Sequence, residues 1–333
     1  MMIAPISPIT IVAPRSKVAC QIEMSFVIPA YNEAGNIAEV IARVHAEAAR
    51  LNLTHEILIV DDGSVDATCA EAIAAGDRAP VRVLRLSRNF GKEQAIMAGL
   101  GRATGAAVVI LDADMQEPLS CLKVMLAHYR GGYEMVYAVR ASRKDEPRSK
   151  RAFTRIFYKL LNMGNRVDIP ADARDFRLMD RRVVDALCAL PERDRFMKGL
   201  YGWVGFRTIG VPIDLEPRCR GTSKFGFTGL LRLALTGLTS FTDWPLRMWT
   251  GIGVTIACLS ILYGIWIALR TLFFGVDVQG WSTLVVAVCL LGGVQLISIG
   301  VLGEYLGRVF TEVKGRPGFI IAEEAFSAGS MRK

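Results

Sequence analysis

No two of the seven cysteines in this 333-residue chain form a CxxC pair, and its three histidines form no cluster. That excludes a zinc ribbon or finger and gives no disulfide framework; isolated buried thiols remain. No GxxxxGK[ST] segment occurs, so the P-loop class is excluded too. The run Gly99 to Gly105 is spaced GxGxxxG and precedes a strand pattern. A dinucleotide fingerprint needs different spacing and the reverse order. Residues 1–21 hold three prolines and no basic n-region, so they read as an extension and not a signal peptide. Acidic residues are outnumbered, 32 against 40 basic, for a net charge of +8. Charge is missing altogether from Met248–Leu269, 22 residues, and from Val278–Gly303, 26 residues.

Those two uncharged runs carry the apolar excess behind the mean hydropathy of +0.32. At about 1.5 Å per helical residue, each covers the roughly 30 Å hydrocarbon core. Two spans make a hairpin, with helices expected at about 248–271 and 280–303. The turn 271–279 has no basic residue, whereas the flanks hold Arg232, Arg247, Arg308, Lys314 and Arg316. The positive-inside rule then places the large domain and the C-terminus in the cytoplasm, which makes this a multi-pass protein of the inner membrane. Gly292, Gly293, Gly300 and Gly303 would permit close helix packing and a homo-oligomer. With spans present, the positive charge points to anionic lipid and phosphate, not to nucleic acid.

The first two thirds alternate short apolar runs with helical patterns. Strands are expected at Ser25–Ala30, Glu56–Val60, Val81–Leu86, Val108–Leu111, Met135–Val139 and within 206–217, with a helix starting in 172–182. Strand, acidic or Gly-containing loop, helix, repeated in this way, indicates an α/β doubly wound parallel sheet. The expected division is an extension over 1–21, a cytoplasmic α/β catalytic domain over 22–222, an amphipathic juxtamembrane region over 223–247, the spans within 248–304, and a juxtamembrane segment and tail over 305–333.

The strand Val108–Leu111 runs into Asp112-Ala-Asp-Met-Gln116. Ligands of open α/β sheets bind beyond the carboxyl ends of strands. Asp112, Asp114 and Gln116 supply hard oxygen donors suited to Mg²⁺ or Mn²⁺ held against a phosphate. An N-cap or Asx turn before Pro118 would use the same residues. Arg140 opens a basic stretch to Lys159 that includes Arg151 and Arg155, interleaved with Phe153, Ile156, Phe157, Leu160 and Leu161. It reads as a solvated helix face or as an amphipathic helix on a membrane surface, with arginines aimed at phosphate. Arg218-Cys-Arg-Gly-Thr-Ser-Lys224 is a simple basic turn or a diphosphate clamp.

Taken together, FVIPAYNE (26–33), VDDGSVDAT (60–68), RNFGKEQA (88–95), LDADMQEP (111–118), DFRLMDR (175–181), RCRGTSK (218–224) and GEYLGR (303–308) resemble the family-2 glycosyltransferases. With the hairpin, the resemblance is to the polyprenyl-phosphate sugar transferases: the dolichyl-phosphate mannose synthases and, more closely, the bactoprenol (undecaprenyl-phosphate) glucosyltransferases. It spans about residues 22–318. Leu119 departs from it where a second proline is usual. The resemblance implies a GT-A (Rossmann-like) nucleotide-sugar transferase domain. It implies that Pro29, Ala30, Tyr31, Glu33, Asp61, Asp62 and Lys92 line the nucleotide-sugar pocket. Asp112 and Asp114, with Ala113 between them, and Gln116 would hold Mg²⁺ or Mn²⁺. Arg218, Ser223 and Lys224 would close over the diphosphate. Arg140, Arg151, Arg155 and Arg177 would meet the acceptor phosphate.

The expected reaction is inverting sugar transfer, from UDP-glucose first, to a polyprenyl phosphate. Such an acceptor is already anionic and needs no general base. Processive polysaccharide synthases of the family carry QxxRW, which is lacking here. Mannose, galacturonic acid and 4-amino-arabinose derivatives stay open as donor sugars. A diacylglycerol acceptor and a non-catalytic membrane scaffold are the other readings.

Overall fold

The structure, a computed structural model, describes residues 22–141, 173–193, 195–214, parts of 252–273, and 280–326. An eight-stranded sheet runs through it in the order β7-β5-β6-β4-β1-β2-β3-β8. Its strands are β1 (Met24–Ala30), β2 (His55–Asp61), β3 (Val81–Leu86), β4 (Ala107–Ile110), β5 (Met135–Arg140), β6 (Ala173–Asp180), β7 (Thr208–Ile213) and β8 (Ile321–Phe326). Helices α1 (Ile37–Arg50), α2 (Thr68–Ala75), α3 (Lys92–Arg102), α4 (Leu122–Arg130), α5 (Arg181–Ala189) and α6 (Met197–Trp203) cover its faces. A 34-residue helix, α7 (Trp281–Lys314), follows.

Strands β4, β1, β2 and β3 are mutually parallel, as the alternating pattern predicts. β1 is buried along its whole length, so both faces must be apolar. Its alternation divides the core in two. Phe26 and Ile28 pack with Ile37, Val40 and Ile41 of α1 on one face. Val27 packs with Leu58, Val60 and Ile96 of α3 on the other.

The expected parallel arrangement holds for strands β1 to β4, and the sheet as a whole is mixed. β6 lies antiparallel between β4 and β5, and β8 lies antiparallel on β3. Residues 173–180, expected to begin a helix, are β6; the helix starts at Arg181, where the Asp180 side chain accepts from Arg182 N at 2.9 Å. Pairing with β4 overrides the local pattern and alternates the side chains. Phe176 and Leu178 join the α1 side of the core, and Met179 joins the α3 side.

The second departure is β8. The segment 305–333, expected as a juxtamembrane segment and tail, holds the end of α7 and then an edge strand of the catalytic sheet. Arg82 on β3 pairs with Glu324 and lies 4.9 Å over the Phe326 ring. Arg193 ties down the end of α7: its backbone N donates to Glu312 Oε1 at 2.9 Å, and its Nε donates to Arg316 O at 2.6 Å. One candidate membrane span is found among the described residues, at 290–314 within α7, with mean hydropathy 1.4 and none of that window buried. Of the first expected span, the described residues between 252 and 273 are helical. The whole two-helix hairpin is not described. The expected extension over 1–21 and the amphipathic regions over 142–159 and 223–247 lie outside the described residues.

Gly105, last glycine of the run that is no dinucleotide loop, has a packing role. A Cβ there would stand 2.6 Å from Ser25 N and 2.8 Å from Met24 C, both backbone of β1. Ser25 Oγ accepts from Gly105 N at 2.7 Å, which fixes that approach. Gly105→Ala is therefore expected to destabilise the domain by about 2–3 kcal/mol, since fixed backbone has to move. Thermal unfolding followed by circular dichroism checks this, with Gly101→Ala, where nothing lies within 4 Å, as the reference.

Candidate active site

The carboxyl ends of β1, β2 and β4 converge at one edge of the sheet. Order reverses there, with β1 between β2 and β4 and the chain passing to opposite sides. This is the crevice in which open α/β sheets bind ligands.

Each end contributes differently. At the end of β1, Pro29 and Ala30 are buried, while Tyr31 just beyond it is exposed. The turn is held by backbone donors: Asn32 N to Ser64 Oγ at 2.9 Å and Glu33 N to Thr68 Oγ1 at 2.8 Å. After β2, the two aspartates divide their work. Asp62 accepts from Phe90 N at 2.7 Å and from Gly91 N at 2.9 Å, so both its oxygens secure the loop before α3. Asp61, fully buried, accepts from Ser64 N at 2.9 Å with Oδ1. Its Oδ2 has no hydrogen bond and has Arg85 Nε 3.7 Å away. Gly63, at φ +71°, permits the turn: a Cβ would lie 2.5 Å from Arg88 C.

After β4, burial alternates: Ala113 and Met115 are buried, while Asp112, Asp114 and Gln116 are part-exposed. Asp114 Oδ1 accepts from Gln116 N at 3.2 Å, and Met115 takes a left-handed φ of 54°. The tight turn returns the chain so that Glu117 joins the two aspartates, with donor oxygens of Asp112, Asp114 and Glu117 all within 4.8 Å. An all-carboxylate set of this size is hard and anionic, and it suits Mg²⁺ or Mn²⁺. Gln116 borders this cluster.

β6 lines both sides of the cluster. Its pairing with β4 ends at Ile110↔Arg177, and two residues further along each strand stand Asp112 and Asp175. Alternation sends Arg174 to one face and Asp175 to the other. Arg174 Nη2 lies 2.8 Å from Glu117. Lys92, at the start of α3, bridges Asp112 at 2.7 Å and Asp175 at 2.5 Å.

Among the expected acceptor residues, Arg140 ends β5 and is part-exposed. Arg177 is 3% exposed and lies 3.6 Å over the Tyr201 ring and 5.5 Å from that of Tyr137. Its Nη2 donates to Arg174 O at 3.0 Å, and its Nε is buried without a partner. Its expected contact with an acceptor phosphate would need a path past those two rings. Arg151, Arg155, Arg218, Ser223 and Lys224 lie outside the described residues.

A family model for glycosyl transferase family 2 matches residues 25–188, and one for the GtrB C-terminal hairpin matches 244–309. An uncharacterized glycosyltransferase of Synechocystis is 45% identical over 91% of this chain and 95% of its own. The chain belongs to glycosyltransferase family 2. The SfII prophage-derived bactoprenol glucosyl transferase of Shigella flexneri is 44% identical over 90% of this chain and 97% of its own. The prophage bactoprenol glucosyl transferase homolog of Escherichia coli K12 is 41% identical over 90% and 98%. The crystal structure of mannosyl-3-phosphoglycerate synthase from Rubrobacter xylanophilus has a TM-score of 0.47 and 20% identity, over 70% of this chain and 75% of that one. The mixed sheet is that of a family-2 glycosyltransferase domain, and the protein is an enzyme of that class.

Within this glycosyltransferase, Glu93, Glu117, Arg174, Asp175 and Lys198 are not legible as site residues, although RNFGKEQA, LDADMQEP and DFRLMDR carry Glu93, Glu117 and Asp175 in turn. Burial pushes Glu117 up to about 7, helped by Asp112 and opposed by Arg174. Burial would lower the Lys92 ammonium, but the charges of Asp175 and then Asp112 hold it well above its usual range. Burial would raise Asp175; Lys92 and Lys198 more than offset this and hold it low. Asp112 stays raised, mainly by burial. Asp175 is thus the firmer counter-ion of Lys92.

Glu93 accepts from Met197 N at 2.9 Å, and burial, with Asp175 nearby, pushes its carboxyl up to about 7. The folded protein binds that proton more tightly than the unfolded chain. The group's contribution is full below the unfolded value of 4.5 and is lost as pH rises through about 7. Glu93→Gln keeps an acceptor without the charge. It is expected to match wild type near pH 4.5 and to be more stable by about 1–2 kcal/mol above pH 7, a few degrees in Tm. Melting curves of both proteins across that range check it.

Proposed function

We propose that the enzyme transfers glucose from UDP-glucose to a polyprenyl phosphate of the undecaprenyl type, with inversion, on the cytoplasmic face of the membrane. The observation that carries this is the match to bactoprenol glucosyl transferases over 90% of the chain, through the catalytic domain and the hairpin alike. The donor's nucleoside would lie along Pro29, Ala30, Tyr31 and Glu33, with Asp61 as acceptor; Asp62 and Lys92 would act at the margin of that pocket. Asp112 and Asp114, with Glu117 and Gln116 beside them, would hold Mg²⁺ or Mn²⁺. When bound, the cation supplies charge neutralisation for the departing diphosphate. Arg218, Ser223 and Lys224 would add donors on the same side.

The acceptor phosphate is an anion at neutral pH, so the chain need only hold two anions in line. Arginines suit this task because the guanidinium keeps its charge when buried and grips phosphate with paired donors. Arg140 and Arg177, with Arg151 and Arg155, are the residues we assign to it. The place of α7 supports the orientation. Its roughly 51 Å exceeds the roughly 30 Å hydrocarbon core. Its last turns are bound by Arg193 and lead into β8 of the catalytic sheet. The end of the span and the catalytic domain therefore share one side of the membrane, and the basic flanks make that side the cytoplasm. An assembly of several copies through the glycine-bearing helices is part of the same proposal.

The test is transfer by the purified full chain, with undecaprenyl phosphate, Mn²⁺ or Mg²⁺, and a panel of UDP- and GDP-sugars, read by mass spectrometry of the lipid. A metal-dependent lipid-phosphate hexose from UDP-glucose alone is the expected result. Asp114→Ala is expected to lower the rate by about 10²–10³-fold, the scale of losing one main electrostatic stabiliser. Near-normal turnover of that variant, or product from another sugar only, overturns the metal or donor assignment respectively.

A further inference from the structure

Among the described residues, Lys92 joins the acidic cluster at β4 to a carboxylate that is not part of it. Its Nζ is 2.7 Å from Asp112 and 2.5 Å from Asp175. Asp112 belongs to the group whose oxygens converge with those of Asp114 and Glu117. Asp175 lies on the far side of the ammonium, on β6, facing α3 and α6. A divalent cation and an ammonium cannot share Asp112 at contact distance without strong like-charge repulsion, least of all where water is partly excluded. Where a cation enters the cluster, Lys92 must loosen its hold on Asp112 and needs another counter-ion.

We propose that Asp175 is a positioning residue: it receives the Lys92 ammonium when a divalent cation takes Asp112, and so keeps the lysine from competing for the metal site. This rests on the cation site proposed above. The geometry makes the exchange short. Nζ already touches Asp175 more closely than Asp112, and rotation on the flexible lysine stem retains one contact while opening the other. Both partners sit on rigid elements, Lys92 on the first turn of α3 and Asp175 within β6. The lysine is 43% exposed and free to pivot; the carboxylates, at 18% and 23%, are less so. No bond is made or broken, and one ion pair is traded for another. Without Asp175, the carboxylate left in contact with Lys92 among the described residues is Asp112.

The experiment measures Mn²⁺ binding by electron paramagnetic resonance on the full chain in detergent, without nucleotide or lipid, in wild type, Lys92→Gln, Asp175→Asn and the double variant. Asp175→Asn is expected to weaken Mn²⁺ about ten-fold, and Lys92→Gln to tighten it by a similar factor, the scale of one close charge contact. In the Lys92→Gln background, Asp175→Asn is expected to cost less than about two-fold, because the double-mutant cycle isolates the pair. An equal loss in both backgrounds would show Asp175 acting as a distant negative charge or a fold element, and overturns the proposal. So does Mn²⁺ affinity unchanged or weakened in Lys92→Gln. If wild type itself binds no Mn²⁺ and Asp114→Ala changes nothing, the cation site falls and this inference with it. Wild-type binding with no coupling between Lys92 and Asp175 overturns this inference alone.

Discussion

The antiparallel pairing of β6 against β4 is the constraint on which the site depends. Without it, Asp112 and Asp114 would be two carboxylates at a strand end, free to point into solvent. With it, the strand that passes beside them presents alternate residues on opposite faces. Arg174 is set against Glu117 on one side, and Asp175 against Lys92 on the other. Four carboxylates are thereby gathered at the end of a parallel sheet, where mutual repulsion and burial work against ionisation. Arg174 and Lys92 oppose that effect, yet Glu117 and Asp112 keep a raised affinity for a proton.

A second constraint links this site to the membrane segment. β3 carries β8 on its outer edge and ends at Leu86. The next residue, Ser87, donates its N–H to Ile320 O at 2.9 Å. Gly318 lies against Gln94, whose Nε2 donates to Arg193 O at 2.7 Å. Arg193 in turn holds Glu312 at the end of α7. The loop that Asp62 fixes and that delivers Lys92 is therefore packed on the chain leaving the long apolar helix. The catalytic sheet and the helix end meet at the element that carries Lys92.

The legible parts of this molecule are those whose signal is local. β1 to β4 announce themselves as apolar runs with turn residues at their ends, because a parallel strand covered on both faces must be apolar throughout. Asp112 and Asp114 could be picked out for the same reason, as charges breaking such a run. β6 resembles a helix start in sequence because its alternation is masked by charge: Arg174, Asp175 and Arg177 take positions an ordinary buried strand gives to apolar residues. Their partners, Glu117, Lys92 and the Tyr201 ring, are from 24 to 83 residues away in sequence. β8 was missed because an edge strand such as Ile321–Phe326, with Glu323 and Glu324 in its middle, has one covered side and too few apolar residues for a pattern. In the sequence Asp61 and Asp62 are indistinguishable. Only the structure separates Asp62, which secures the loop before α3, from Asp61, which holds the turn at Ser64.

The charge arrangement also bears on which acceptor chemistry suits the site. Around β4 the described carboxylates are engaged with cations or with backbone donors: Asp112 and Asp175 with Lys92, Glu117 with Arg174, Asp114 with Gln116 N. A hydroxyl acceptor would call for a carboxylate near neutral pKa with an open path to the substrate oxygen. Glu93 and Glu117 have the raised affinity for a proton, but Glu93 is turned to Met197 N and Glu117 to Arg174. A phosphate acceptor makes no such demand. It asks instead for positive charge near the site; Arg140, at the end of β5, is part-exposed, whereas Arg177, 3.6 Å over the Tyr201 ring, is buried. The distribution of carboxylates and arginines therefore fits a reaction between two anions better than one that begins by removing a proton.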